Sequence, residues 1–157
     1  MASAETSTSR TAADFVAFFE EIWRTGATDP SRFFALLEAR MTAETRLIQP
    51  LARTVRGPAG ARELFTPVFD AIPDLRSAIH RSGPTEDGVL IEHTLSGTLA
   101  GKPLRWTATD RFILADDGRF LERRAYFDPL PLLLAMLSRP WVSLKLLPGL
   151  LRRKERT

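Results

Sequence analysis

Residues 88–127 read GVLIEHTLSGTLAGKPLRWTATDRFILADDGRFLERRAYF and decide the fold, because they alternate apolar and polar side chains between two turns. The alternating segments are Gly88–Thr98, Pro103–Ala115 and Arg119–Phe127. The turns are Leu99-Ala100-Gly101-Lys102 and Asp116-Asp117-Gly118, and Asp-Gly is among the strongest short signals of a β-hairpin. The stretch therefore predicts an antiparallel meander of three strands.

Successive side chains of a strand point to opposite faces, so the alternation predicts which residues point inward. His93 is the only polar member of an otherwise apolar row on its strand, which also contains Val89, Ile91 and Leu95. Asp110 is the only ionisable member of the next row, formed by Leu104, Trp106, Ala108, Asp110, Phe112 and Leu114. The sequence thus predicts two inward ionisable groups on neighbouring strands.

The turn positions also predict the register. If Ala100-Gly101 centres the first turn, His93 lies opposite Ala108, and Asp110 lies opposite Ile91. His93 and Asp110 then become diagonal neighbours, about 7–8 Å apart at the backbone and within side-chain reach.

If Asp117-Gly118 centres the second turn, Asp110 also faces Ala125, and Ala108 faces Phe127. Both alanines are small and leave space beside the His/Asp pair. This register predicts a pocket that contains Ile91, Ala108 and Ala125, with Trp106 and Phe127 as its walls.

Such a pair suits general acid–base chemistry, because a buried carboxylate has a raised pKa unless a cation or hydrogen-bond donors compensate. His93 and Asp110 are therefore the candidate catalytic residues. The structural alternative stays open: a buried Asp is often satisfied by a neighbouring Arg, and a single inward His is often a core residue. Arg123, on the same predicted face as Leu121, Ala125 and Phe127, is the candidate for such an ion pair.

Three helices are predicted before the meander. Phe15, Phe18, Phe19, Ile22 and Trp23 follow helical spacing, Asp29-Pro30 begins a second helix, and Gly57-Pro58-Ala59-Gly60 begins a third. Thr45–Leu51 and Leu75–Arg81 are predicted as strands, and residues 1–11 as a disordered tail. Helices followed by a meander indicate an α+β fold with the helices on one face of the sheet.

Composition excludes several function classes. The 157 residues contain no cysteine and carry a net charge of +3 with no basic stripe, so no disulfide, no thiol chemistry and no nucleic-acid partner are expected. The two histidines lack a metal-ligand motif, so neither a metal nor a cofactor is expected. The first residues lack an apolar stretch, which predicts a cytoplasmic protein.

The order of these elements resembles the SnoaL-like branch of the nuclear transport factor 2-like superfamily over roughly residues 12–130. The resemblance rests on Arg46–Pro50, Pro73-Asp74-Leu75, Gly97-Thr98, Asp117-Gly118-Arg119 and Tyr126-Phe127-Asp128-Pro129. It implies a cone-shaped fold with an apolar pocket between a curved antiparallel sheet and the helices, and a homodimer. Members include polyketide cyclases, ketosteroid isomerases, limonene epoxide hydrolases and proteins that only bind ligands.

Comparing the catalytic positions of the superfamily with this chain limits the activities that the resemblance implies. Epoxide hydrolases of this superfamily need an Arg, an Asp two residues later and a second Asp on the last strand, and these places hold Ile91, His93 and Ala125. Epoxide hydrolysis is therefore not expected. The acidic residue of SnoaL-like cyclases matches Asp128. Asp128 and Tyr126 lie on the more polar predicted face, so they are either structural residues or part of the pocket rim.

Residues 131–157 form a leucine-rich extension that ends in Arg152-Arg153-Lys154-Glu155-Arg156. It is broken by Pro140 and Pro148, which excludes a membrane span. Two interpretations remain: packing across the pocket mouth or a partner subunit, and a peripheral membrane contact through residues 130–157.

The leading functional hypothesis is a small-molecule pocket protein that catalyses cyclase-like or isomerase-like proton transfer on an apolar or polycyclic substrate. The first alternative is a non-catalytic ligand-binding or dimerisation module with the same pocket. The second is a membrane-surface accessory protein.

Overall fold

A computed structural model describes residues 2–138, with side chains from Thr11 onward. The helices are α1 (Ala2–Thr25), α2 (Pro30–Ala39), α3 (Gly57–Ala71) and α4 (Leu130–Leu137), and a 3₁₀ turn covers Gly26–Thr28. The strands are β1 (Arg46–Ile48), β2 (Val55–Arg56), β3 (Arg76–Thr85), β4 (Gly88–Leu99), β5 (Lys102–Leu114) and β6 (Phe120–Tyr126). The predicted α+β class is confirmed.

The six strands form one curved sheet in the order β2-β1-β6-β5-β4-β3. Strands β3 to β6 make the expected antiparallel meander. The sheet is mixed rather than wholly antiparallel, because β1 runs parallel to β6 with Arg46 opposite Glu122. A parallel pair needs a long crossover connection, which is supplied by α3 and the three strands β3 to β5.

The predicted register of β4 and β5 is confirmed: His93 lies opposite Ala108, and Asp110 lies opposite Ile91. The turn between these strands has positive φ angles at Ala100 (50°) and Gly101 (77°). Positive φ at both central residues is the geometry of a type I′ hairpin. This tight turn fixes the pairing of the two longest strands.

The second hairpin has the predicted pairing of Asp110 with Ala125, but for a reason that the sequence does not show. The loop holds one residue more than a two-residue turn, since Ala115 N–H donates to the Arg119 carbonyl at 2.8 Å. An irregularity between Ile113 and Leu114 restores the register beyond it. The inward assignment of Leu121 is wrong, because this bulge buries Phe120 completely and leaves Leu121 46% exposed.

Helix α1 begins at Ala2, so it includes nearly all of the segment predicted as a disordered tail up to residue 11. No Gly or Pro interrupts the chain before Gly26, and Ala, Glu, Ser and Thr are all compatible with a helix. The predicted disorder rested only on the lack of large apolar side chains in this segment. The helix needs an apolar face only over its second half, which packs on the sheet.

The core between the helices and the sheet is rich in aromatic rings. Phe33 of α2 is only 1% exposed. Its ring lies 4.9–5.6 Å from the rings of Trp23, Phe34, Phe65 and Phe69. Through these ring contacts, α1, α2 and α3 pack against one another.

Within residues 2–138, none of the helices combines the length and the apolar character that a membrane crossing requires.

Candidate functional site

A cavity of about 410 Å³ lies between α3, the loop after β1, the inner face of the sheet and α4. Trp106, Ala108 and Phe127, three of the residues predicted for the pocket, line it. The remaining apolar wall includes Leu64, Phe65 and Val68 of α3, Leu95 of β4, and Leu132 and Met136 of α4. The wall is therefore largely apolar.

Three charged side chains and one amide interrupt this wall among the described residues: Arg53, Glu63, Arg123 and Gln49. Arg53 and Glu63 form an ion pair at 2.6 Å, and both side chains are about half exposed (52% and 49%). This exposure places the pair at the cavity mouth. The side chain of Arg123 is 8% exposed and belongs to the buried end.

Behind the wall, Asp110 and Arg123 form a two-pronged ion pair. The Nε–H of Arg123 donates to Asp110 Oδ2 at 2.8 Å, and its Nη2–H donates to Oδ1 at 3.1 Å. Arg123 Nη1 also donates to the side-chain oxygen of Gln49 at 3.2 Å. Paired N–H groups facing a carboxylate fix both position and orientation.

His93 stands on the other side of Asp110 and is completely buried. Its Nε2 lies 3.5 Å from Asp110 Oδ2 and makes no hydrogen bond of ordinary geometry. Its Nδ1 is 2.6 Å from the hydroxyl oxygen of Ser77, and the Phe19 ring meets the imidazole edge-on at 5.1 Å. The tautomer that suits both neighbours carries a proton on Nε2 towards the carboxylate and accepts the Ser77 hydroxyl at Nδ1.

The strand pairing explains why these groups meet. Asp110 lies between Ile91 of β4 and Ala125 of β6 on paired strands. Arg123 is two residues before Ala125 and therefore shares its face, on the diagonal from Asp110. Gln49 directly follows β1, whose parallel pairing with β6 sets Ile48 opposite Arg124 and so brings Gln49 beside Arg123.

The charge state of Asp110 follows from competing effects. Burial, the largest single effect, by itself raises the pKa of a carboxyl group, but the Arg123 charge, the neighbouring His93 and the Arg123 hydrogen bonds together outweigh it. The pKa of Asp110 is therefore lowered from its ordinary value of 3.8. Asp110 is a carboxylate at neutral pH, held by an arginine rather than sharing a proton with His93.

The structure thus brings His93 and Asp110 together, as the register predicted, but neither residue lines the cavity. The imidazole of His93 faces Ser77 and Asp110, and the carboxylate of Asp110 faces His93 and Arg123. The ionisable group that reaches the cavity from this cluster is Arg123. His93 and Asp110 therefore do not contact the space in which a ligand would accept or donate a proton.

The other residues predicted for the pocket are placed differently. Ile91 and Ala125 are buried next to Asp110 but do not line the cavity, because Arg123 lies between that part of the sheet and the open space. Tyr126 is 52% exposed, since it points to the opposite face of β6. Asp128 is exposed and accepts the backbone N–H of Leu130 at 2.9 Å, where α4 begins.

Two contributors to the site, Ser77 and Gln49, were not identified from the sequence. Ser77 could have been found, because it lies two residues before Ile79 and so points to the same face of its strand. Ile79 lies opposite His93. Gln49 had no local signal, because it belongs to a loop that reaches Arg123 only through a parallel pairing between distant segments.

Helix α4 has two different sides. Leu132 and Met136 line the cavity, whereas Leu130, Leu134 and Leu137 are 56%, 57% and 75% exposed. The rest of the extension, residues 139–157, lies outside the described residues, together with its basic end. Over the part of the chain with described side chains, no three His, Asp or Glu residues are grouped to hold a metal ion.

Comparison with known proteins gives one family match and many structural matches. The profile of the SnoaL-like domain matches residues 15–123. No curated protein matches the sequence significantly.

Solved structures of similar fold include a candidate SnoaL-like polyketide cyclase from Jannaschia sp. CCS1, with a TM-score of 0.68 and 21% identity, covering 80% of this chain and 92% of that one. PrhC from Penicillium brasilianum has a TM-score of 0.72 at 15% identity, covering 88% of this chain and 97% of that one. An LEH-like epoxide hydrolase from M. tuberculosis has a TM-score of 0.61 at 21% identity, covering 88% and 95%.

At these identities the structural matches show the fold alone. The family profile, in contrast, begins in α1 and ends at Arg123, so it includes both the helices under the cavity and the Asp110–Arg123 pair. The chain belongs to the family of SnoaL-like domains.

Proposed function

We propose that this SnoaL-like domain binds a small, mainly apolar molecule in the cavity. The observation that carries this proposal is the apolar space itself, about 410 Å³. Among the described residues, its buried end holds one charged side chain, Arg123, which is already paired with Asp110. Ligand sites have this character: a mostly apolar concave wall with a few placed polar groups.

The geometry favours binding over the acid–base catalysis of the leading sequence hypothesis. A general acid or base must come within hydrogen-bond reach of the proton that it transfers. His93 and Asp110 do not line the cavity, and Asp110 already accepts two hydrogen bonds from Arg123. In this proposal the pair are positioning residues that hold Arg123 in place.

The test uses fluorene, a rigid polycyclic hydrocarbon, as the ligand. Ala52 is half-buried and lies in the loop that borders the cavity. We expect Ala52→Trp to weaken fluorene binding at least about tenfold, because the indole occupies the space, and tenfold corresponds to about 1.4 kcal/mol. Fluorescence titration measures both affinities.

Ala115→Trp is the matched control, since Ala115 is a half-buried loop alanine that does not line the cavity. Its fluorene affinity is expected to equal that of the wild type. Absence of fluorene binding by the wild-type protein, or equal loss in the two variants, contradicts a ligand site in this cavity.

A second candidate function, contact with an anionic membrane surface, is supported by the exposed side of α4. Leu130, Leu134 and Leu137 form an apolar stripe, and the sequence that follows α4 ends in a basic cluster. Apolar side chains beside basic residues are typical of segments that lie in the lipid interface.

We expect the full chain to sediment with vesicles that contain phosphatidylserine, and the double variant Leu134→Ser/Leu137→Ser to sediment several-fold less. Leu121→Ser is the control, because Leu121 is an exposed leucine on β6, outside the stripe. A wild-type protein that stays in the supernatant contradicts the membrane proposal.

A further inference from the structure

We infer that the ligand carries a neutral oxygen that accepts hydrogen bonds without donating one, and that Arg123 and Gln49 bind this oxygen. The inference rests on the proposed binding function and specifies the chemical class of the ligand. Four observations carry it: the donors left on Arg123, the amide of Gln49, the nature of the other polar groups in the wall, and the balance of charge.

Arg123 keeps hydrogen-bonding capacity after its structural contacts are made. A guanidinium group carries five N–H donors and no acceptor. The two bonds to Asp110 and the one to Gln49 use three of them. Because Arg123 lines the cavity, the two remaining N–H groups are the ones available to a ligand.

Gln49 adds donors at the same place. Its side-chain oxygen must be the atom that faces Arg123, because the guanidinium group can only donate. This contact leaves the amide NH₂, for which the described residues show no hydrogen-bond partner, in a side chain that also lines the cavity. The buried end of the cavity is therefore rich in donors.

The rest of the wall offers few acceptor side chains. Trp23 and Trp106 also line the cavity, and an indole can only donate. Glu63 is the one carboxylate among the described lining residues, and it already accepts three contacts from Arg53 at 2.6–3.1 Å. A ligand hydroxyl bound at Arg123 would find, among the described lining residues, only the Gln49 oxygen and the Glu63 carboxylate as side-chain acceptors, and both already accept from an arginine. Burying its O–H there is therefore costly.

The charges are balanced as well. Every charged side chain of the described wall has its counter-ion: Arg53 pairs with Glu63, and Arg123 pairs with Asp110. Because each charge on the described lining is already neutralised by its partner, a carboxylate group on the ligand would lose its hydration without a free cation in exchange. A ketone oxygen meets all four conditions.

The experiment compares four ligands with one ring system: fluorene, fluoren-9-one, fluoren-9-ol and fluorene-9-carboxylate. We expect the ketone to bind about tenfold more tightly than the hydrocarbon, and both the alcohol and the carboxylate to bind more weakly than the ketone. Isothermal titration measures the four affinities on the full chain.

Gln49→Leu should reduce the ketone-to-hydrocarbon affinity ratio several-fold, because it removes the amide donors. Arg53→Leu, at the cavity mouth, is the control and should keep the preference. The double variant Asp110→Leu/Arg123→Met, which leaves neither charge of this pair unpaired, should also reduce the preference, because it removes the guanidinium donors.

The inference and the proposed function fail in different ways. Equal affinity for ketone and hydrocarbon, tighter binding of the carboxylate or the alcohol, or an unchanged preference in Gln49→Leu overturns the inference while fluorene binding stands. If fluorene does not bind, or if Ala52→Trp leaves its affinity unchanged, the proposed function itself is overturned.

Discussion

Asp110→Ala is expected to lower the free energy of unfolding by about 3–5 kcal/mol. Among the described residues, the substitution removes the only carboxylate paired with Arg123, whose side chain is 8% exposed, and leaves the guanidinium charge buried without its counter-ion. It also leaves the Nε2 of His93 facing an empty space in a fully buried position. Urea denaturation followed by circular dichroism gives the value.

Asp117→Ala is the matched control for this prediction. Asp117 also forms an ion pair with an arginine, Arg119, at 2.6 Å, but both side chains are about half exposed. Exposed pairs contribute little, because water screens the attraction between their charges. A loss at Asp110 no larger than the loss at Asp117 contradicts the view that Asp110 holds a buried charge.

The double variant Asp110→Leu/Arg123→Met distinguishes the attraction between the two charges from the free-energy cost of burying them. Since it removes both charges, it should cost less than either Asp110→Leu or Arg123→Met alone. A cost equal to the sum of the two single losses means that the residues act independently, which the two-pronged contact does not allow.

The pH dependence of the unfolding free energy tests the same ion pair. Because the pKa of Asp110 is lower in the folded protein than its ordinary value of 3.8, the stabilisation is present above that value. It is lost as the pH falls below 3.8 and through the lowered pKa. The double variant lacks this group and should lose stability less steeply over the same acid range.

Phe33→Ala is expected to cost about 3–5 kcal/mol, because the site is closely packed on all sides and cannot collapse easily. Phe33 is 1% exposed and contacts rings from α1, α2 and α3. Two of its neighbours, Trp23 and Phe65, line the cavity, so the loss also removes support from the ligand wall. We expect weaker fluorene binding together with lower stability.

Phe18→Ala is the control for ring removal. Phe18 is half-buried on α1, beside the Arg40 guanidinium at 5.0 Å, and does not line the cavity. Its loss should cost clearly less and leave fluorene affinity unchanged. Thermal and urea unfolding of the two variants, each with a fluorene titration, make the comparison; equal costs contradict the role of Phe33 as the centre of the ring cluster.

The sequence was sufficient where the structure is local. The alternation on β4 and β5 and one tight turn place His93 near Asp110, because a hairpin's register depends on residues close in the chain. The pairing of Asp110 with Ala125 was also predicted, although it depends on a longer loop and a bulge that compensate each other. The alternation carries no sign of that bulge, and the face of Leu121 was therefore assigned wrongly.

The sequence was insufficient where the site depends on distant segments. The parallel pairing of β1 with β6 brings Gln49 to Arg123, and no turn or short spacing encodes it. Arg123 was correctly considered as an ion-pair partner for a buried carboxylate, but its place in the cavity wall depends on how α3 and α4 enclose the space. Parity tells which face a side chain occupies and not how deep it lies, so His93 and Asp110 were expected in the pocket.

A crystal structure of the complex with fluoren-9-one tests the central claim most directly. We predict that the rings lie in the cavity beside Trp106 and Leu132, with the ketone oxygen about 3 Å from a terminal nitrogen of Arg123. A ring system bound outside the cavity, or an oxygen turned towards the Arg53–Glu63 pair at the mouth, would contradict the account.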